Sequence, residues 1–246
     1  MRAILLSAGQ GRRLLPLTER VPKCMLEIHG RSVLEWQLGE FAKCGIDDVT
    51  VAVGFGAEHV EQFLKTQSII PRVRTAYNPF FGIADNLVTC WVARTEMDKD
   101  FLLVNGDTVF EAQVLDCVLN APARPVMMVT DHKPTYDADD MKVIVSGERL
   151  VRVGKNISPE RADGESIGML LFREDGPVLF QQAIERAIRT PQALKQWYLS
   201  VIDDMAQSGL VWTCSIQGLQ WAEIDCAEDL EQAETTVQCL EPVPNR

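Results

Sequence analysis

The segment from Ile4 to Leu14 reads ILLSAGQGRRL, an apolar run that breaks into Gly9-Gln10-Gly11 and two arginines. Glycines at the end of a strand let backbone N–H groups approach anionic oxygens closely, and Arg12 and Arg13 add charge beside them. Between Met1 and Cys24, five basic residues (Arg2, Arg12, Arg13, Arg20, Lys23) stand against one acid, Glu19, in a chain of net charge -11. That local inversion suits a polyanion such as a phosphate chain. Two common phosphate loops do not fit: a dinucleotide fingerprint needs a third glycine where Leu14 stands, and no Gly-Lys-Ser/Thr follows as in a P-loop. On the glycines alone, a plain strand-to-loop turn with surface arginines reads equally well.

The elements around this loop alternate. Ala3 to Leu6 reads as a buried strand. Ser32 and Glu35 form a capping box for a helix with Val33, Leu34, Leu38 and Phe41 on one face, and Gly45 ends it. Val49 to Val53 is a second strand, Val60, Phe63 and Leu64 mark a second helix, and Val73 to Tyr77 is a weaker strand. A helix over Asn86 to Met97 and a strand over Phe101 to Val104 complete a repeating β-α pattern. It predicts a largely parallel sheet with ligands outside the carboxyl ends of its strands, where Gly9 and Asp107 fall. Strands are then expected at 126–130, 142–145, 150–153 and 167–172, helices at 177–189 and 192–207, a strand at 210–216 and a last helix from about Ala227. The second half reads as an insertion walling one side of the site.

At 246 residues, 46% of them hydrophobic, the chain has the size of one large domain. Its acidity argues against nucleic acid and against an anionic membrane as partners. Seven scattered cysteines (Cys24, Cys44, Cys90, Cys117, Cys214, Cys226, Cys239) show no zinc spacing and read as buried thiols in a reducing compartment. No secretory signal and no run of membrane-spanning length is visible, so the expected location is cytoplasmic. His29, His59 and His132 stand alone and read as surface or turn residues. The oligomeric state is not encoded in any of these features.

The glycine loop followed by Val21-Pro22-Lys23-Cys24-Met25-Leu26 resembles the opening of the sugar-phosphate and choline-phosphate nucleotidyltransferases, a Gly-x-Gly-x-Arg-Leu loop and then Pro-Lys-x-x-Leu. Four more segments match in order: Asn78-Pro79-Phe80-Phe81 with Asn86-Leu87; Leu103-Val104-Asn105-Gly106-Asp107; Asp139-Asp140-Met141-Lys142; and Trp221-Ala222-Glu223-Ile224-Asp225 with Glu228-Asp229-Leu230. Within that family the set is similar to the branch of LicC-type phosphocholine cytidylyltransferases, over nearly the whole chain.

The resemblance implies a Rossmann-like α/β fold: a mostly parallel central sheet flanked by helices, with a smaller β-rich acceptor-side region. Residues 1–246 would form one domain, about 1–120 nucleotide-binding and 121–246 acceptor-side. It implies Mg²⁺-dependent transfer of a nucleoside monophosphate, CMP from CTP first of all, onto a small phosphorylated or phosphonate acceptor such as phosphocholine, with release of pyrophosphate. Asp107 and Asp225 match the metal carboxylates, and two aspartates plus phosphate oxygens satisfy Mg²⁺. Each alone also reads as a turn residue or a helix-start acid. Lys23 and Arg13 match the cations on the triphosphate.

Leu6, Ser7, Ala8, Gly9, Gln10 and Gly11 would cradle the nucleotide, with Asp85 and Asn86 at base or ribose. Lys142 would stand near the phosphates and Glu165 near ribose or acceptor. Trp197, Tyr198 and Trp221 are candidates for an aromatic cage around a quaternary ammonium, although packing aromatics read the same way. Two positions depart from the pattern. Cys226 replaces the usual Thr or Ser after the metal aspartate, removing an N-cap hydroxyl; Leu199-Ser200 lacks the acid that often follows Trp-Tyr. Alternatives are a UTP-, dTTP- or GTP-dependent sugar-1-phosphate nucleotidyltransferase, a non-catalytic nucleotide-sensing subunit, and a nicotinamide oxidoreductase, which Leu14 disfavours.

Overall fold

The computed structural model describes residues 1–240. Strand β1 (Arg2–Ser7) feeds the glycine loop, which continues through short 3-10 turns at Arg12–Leu14 and Lys23–Met25. A two-residue ladder, β2 (Glu27–Ile28) with β3 (Arg31–Ser32), precedes α1 (Val33–Lys43). Then come β4 (Asp48–Val53), α2 (Ala57–Thr66), β5 (Arg72–Tyr77), α3 (Asn86–Val92), β6 (Phe101–Asn105), β7 (Thr108–Phe110) and α4 (Ala112–Asn120). The second half adds β8 (Val126–Asp131), β9 (Lys142–Ser146), β10 (Arg149–Val153), β11 (Gly164–Phe172), α5 (Gly176–Ala187), α6 (Tyr198–Gln207), β12 (Val211–Ser215), β13 (Trp221–Glu223) and α7 (Ala227–Leu240).

Nine strands form one sheet in the order β5-β4-β1-β6-β11-β8-β12-β10-β9. β5, β4, β1 and β6 run parallel, as the β-α repeat predicts, and β8 pairs parallel with β12. β11 is antiparallel to both β6 and β8, so the sheet is mixed, and the second half extends the first half's sheet. Side chains alternate across the strands. Ile4, Ala52 and Leu103 join a core with α3, α5 and α6 on one face, while Leu5, Val51 and Leu102 join one with α1, α2 and α4 on the other. Burying such apolar surface is worth about 25 cal/mol per Å², the main force holding both layers.

Local chemistry explains the element ends. Ser32 Oγ accepts from the Glu35 N–H at 3.1 Å, and Gly45 takes φ 70° at the end of α1, as expected. The helix expected over 192–207 is instead broken. A 3-10 turn covers Pro191–Lys195, Gln196 and Trp197 are extended, and α6 begins at Tyr198, whose N–H donates to the Asn86 side chain at 2.9 Å. α4 and the two short ladders β2/β3 and β7/β13 carry no cap or alternation long enough to read. Of the cysteines, Cys24 and Cys90 are buried as expected, whereas Cys44, Cys117, Cys214 and Cys226 are partly exposed. The side chain of Cys239 lies outside the described residues. Among those residues no helix is long and apolar enough to cross a membrane.

Candidate active site

The carboxyl ends of β1 and β6 open onto one crevice. The glycine loop enters it through Gly11, at φ 73°, where a Cβ would press on the Lys23 side chain at 3.2 Å. The loop is tied down by Thr18, whose hydroxyl donates to the Gly11 carbonyl at 2.8 Å. Gly106 lies so close to β1 that a Cβ there would strike Ser7 Oγ and, at 2.8 Å, the Leu6 carbonyl. A small cavity of about 190 Å³ joins Ser7, Gly9, Gly11, Lys23 and Asp107. A second, of about 390 Å³, extends from Gln10 to Asp85, Asn86 and Trp197.

The β7–β13 ladder brings the distant aspartates together. Thr108 pairs with Glu223, and the Ile224 N–H donates to the Asp107 carbonyl at 3.0 Å. Carboxylate oxygens of Asp107, Glu223 and Asp225 thereby lie within 4.8 Å of one another. Lys23 Nζ sits between Asp107 Oδ2 at 2.8 Å and Asp225 Oδ1 at 2.6 Å. Arg13 reaches Asp225 Oδ2 at 2.6 Å and Asp139 Oδ2 at 2.9 Å.

Burial opposes the charge on Lys23, but the two aspartates prevail and raise its pKa. Burial likewise opposes Asp225, and Lys23 and Arg13 hold its carboxyl below the ordinary value. Glu223 goes the other way: burial, then the charges of Asp107 and Asp225, push it up to about 8. Asp107 Oδ1 is buried without a hydrogen-bond partner. Three converging carboxylates, one with an unsatisfied buried oxygen, form a donor set that fits a hard divalent cation.

A third cavity, of about 460 Å³, starts at Glu223 and Asp225 and runs to Asp131, Asp140, Glu165 and Trp221. Its outer wall is the segment joining β8 to β9. Lys142, 1% exposed, donates to the carbonyls of Asp137 at 2.6 Å and Asp140 at 3.1 Å. The ammonium expected near phosphates therefore organises this segment, because a buried charge must spend its donors on the nearest oxygens.

The aromatic cage is not assembled. Tyr198 is fully buried, its hydroxyl donating to Asn105 at 3.3 Å. Trp197 stands beside the Asp85–Asn86 cavity, with Lys155 over its ring at 4.7 Å. Trp221 is in the acidic cavity, its indole N–H donating to Asp131 at 2.7 Å. Helix burial and strand register separate three residues that looked alike in sequence.

Leu6, Ala8 and Gly9 line the cavity holding Asp85 and Asn86, and Glu165 lines the acidic one. The missing hydroxyl at Cys226 is compensated, since Asp229 Oδ2 accepts from the N–H groups of Asp225 and Cys226 at 2.7 and 2.8 Å. Glu223 was not singled out in the sequence, although Glu-x-Asp in extended chain puts both acids on one side. The histidines are exposed and outside these cavities, in line with their surface reading.

The sequence profile of the MobA-like NTP transferase domain matches residues 3–189. The chain belongs to this family of nucleotidyltransferases. It is 28% identical over 245 residues, 95% of its length, to the CMP-5'-(3-aminopropyl)phosphonate synthase of Streptomyces rubellomurinus, covering 38% of that protein. It is 26% identical over 94% of its length to the bifunctional IPC transferase and DIPP synthase of Aquifex aeolicus, covering 50% of it. The chain thus spans half or less of the length of these two curated relatives. Its fold matches that of the CTP:phosphocholine cytidylyltransferase LicC of Streptococcus pneumoniae, with a TM-score of 0.78 at 17% identity, covering 96% of this chain and 98% of that one.

Proposed function

We propose that the chain is a Mg²⁺-dependent cytidylyltransferase acting on a small phosphate or phosphonate that carries a positive charge at its other end. The observation that carries this reading is the Asp107–Glu223–Asp225 cluster, bridged by Lys23 and placed between the glycine-loop cavity and the acidic cavity. The names of the relatives support CTP and a phosphonate or phosphocholine acceptor.

In this reading Gly9 to Gly11 present backbone N–H groups to the triphosphate, while Lys23 and Arg13 leave their aspartates to neutralise it. Asp107, Glu223 and Asp225 would hold Mg²⁺, which when bound screens the phosphate charges. Asp85 and Asn86 face the base or ribose. An oxygen of the acceptor phosphate attacks the α-phosphorus of CTP, a new P–O bond forms, and the bond to the departing pyrophosphate breaks. The acceptor phosphate has a second pKa of roughly 6 and is largely dianionic at neutral pH, so no general base is required. Catalysis reduces to positioning and electrostatics. The acidic cavity discourages a neutral sugar and favours an ammonium, and a reducing cytoplasm suits the free thiols.

The test is pyrophosphate release with Mg²⁺, each of CTP, UTP, GTP, ATP and dTTP, and phosphocholine, phosphoethanolamine, aminoalkylphosphonates or sugar 1-phosphates. Release with CTP and an ammonium-bearing acceptor is expected, abolished by chelation. Asp107→Ala, Asp225→Ala and Lys23→Ala are each expected to lower kcat/KM by roughly 10²-fold or more, the scale of losing one transition-state contact. Release only with a sugar 1-phosphate and another nucleotide would replace this reading, and full turnover in either aspartate variant would remove the metal assignment.

A further inference from the structure

Lys133 enters the acidic cavity from its rim. Its Nζ lies 2.8 Å from Asp140 Oδ1 and 3.0 Å from Glu165 Oε2, with the Tyr136 ring centroid at 5.9 Å. The two carboxylates belong to the wall. The Glu165 side chain is 7% exposed on β11, opposite Asp131 and Lys142, and Asp140 is held by the Asp137 N–H on its other oxygen at 2.8 Å. Lys133 is different, with its side chain 37% exposed on a flexible stem. Well-held acceptors facing a donor that reaches in from solvent make an exchangeable pair.

The cation seated there is an alkylammonium with three N–H donors. A substrate ammonium would meet the same two carboxylates on the same terms, and a quaternary ammonium, having no donor, would not. The cavity that contains this seat also reaches Glu223 and Asp225, so one short molecule can span it with a phosphate at the metal cluster and an ammonium at the other end.

Resting on the cytidylyltransferase reading, we infer that Lys133 is a built-in occupant of the acceptor's ammonium subsite, displaced when an acceptor with a primary ammonium binds to Asp140 and Glu165. Lys133 thereby sets specificity: it keeps the two carboxylates paired until the acceptor arrives and yields only to a group of its own chemistry.

The experiment compares wild type, Lys133→Met and Glu165→Gln with phosphoethanolamine, phosphocholine and propyl phosphate, the isostere with a methyl in place of the ammonium. It follows pyrophosphate release with CTP and, separately, acceptor binding by calorimetry. Wild type is expected to prefer phosphoethanolamine over both others. Lys133→Met should lower KM and Kd for phosphoethanolamine roughly tenfold relative to propyl phosphate, and Glu165→Gln should raise them by a similar factor, the scale of one charge-assisted contact.

Equal weakening of all three acceptors by Lys133→Met would make Lys133 a phosphate ligand and overturn the inference. So would an unchanged ratio, which marks a purely structural ion pair, or a wild-type preference for phosphocholine. If Lys133→Met does not fold, the Glu165→Gln ratio decides alone. Binding with the expected ratios but no pyrophosphate release from any acceptor would sink the cytidylyltransferase reading and leave the ammonium subsite standing.

Discussion

Within the site the cations rest on the carboxylates: Lys23 on Asp107 and Asp225, Arg13 on Asp225 and Asp139. In the proposed reaction Lys23 and Arg13 would turn to the phosphates and the carboxylates would hold Mg²⁺, so that neither set of charges would be buried alone. A comparable cluster has a different task at the opposite ends of the strands. Buried Asp48 meets Arg2, Arg74 and Lys99 at 3.3, 2.7 and 3.2 Å and joins the starts of β1, β4 and β5. Burial opposes its charge, but the cations lower its pKa from 3.8 to about 2. A depressed folded-state value adds stability that is complete above 3.8 and lost as pH falls toward 2, about 2 kcal/mol in all. Asp48→Asn is therefore expected to cost about that much at neutral pH and to flatten the acid limb of a denaturation curve between these values. An unchanged acid limb would show that the cluster does not contribute. Asp48 was not visible as a cluster member, since its partners come from three separate segments.

At the scale of elements, the segment joining β8 to β9 is held by cations. Lys142 closes it from below by donating to two carbonyls, and Arg13 and Lys155 hold Asp139 from above at 2.9 and 3.2 Å. Lys142→Met keeps the volume but takes the ammonium from the Asp137 carbonyl, while the Asp140 carbonyl keeps the residue-142 N–H at 3.0 Å, a loss of about 1–3 kcal/mol. The expected result is a lower thermal midpoint and an acceptor KM several-fold higher, with CTP affinity changed less; an equal loss for both ligands would assign Lys142 to the phosphates after all. The resemblance had pointed to Asp139-Asp140-Met141-Lys142 as a unit. The direction of the Lys142 side chain came from its place in strand β9, where it pairs with Glu165. The α1 cap was legible for the opposite reason, because Ser32 Oγ accepts from the Glu35 N–H within one turn.

Across the whole molecule, β11 joins the parallel strands to the second half by pairing with β6 on one side and β8 on the other. Neither half can keep its sheet edge covered without the other, so the halves are expected to unfold together, in one urea transition seen alike by tryptophan fluorescence and far-UV dichroism. Two separated transitions would mark two independent units. The sequence by itself determined what depends on near neighbours: the glycine loop, the first three strand-helix units, the α1 cap and the ordered motifs that place the chain among nucleotidyltransferases. Only the tertiary structure decided that Glu223 joins Asp107 and Asp225, that Tyr198 is core, and that Lys133 sits on Glu165. Those contacts are made by the β7–β13 ladder and by strand order, and their partners lie too far apart in the chain for any local pattern to record them.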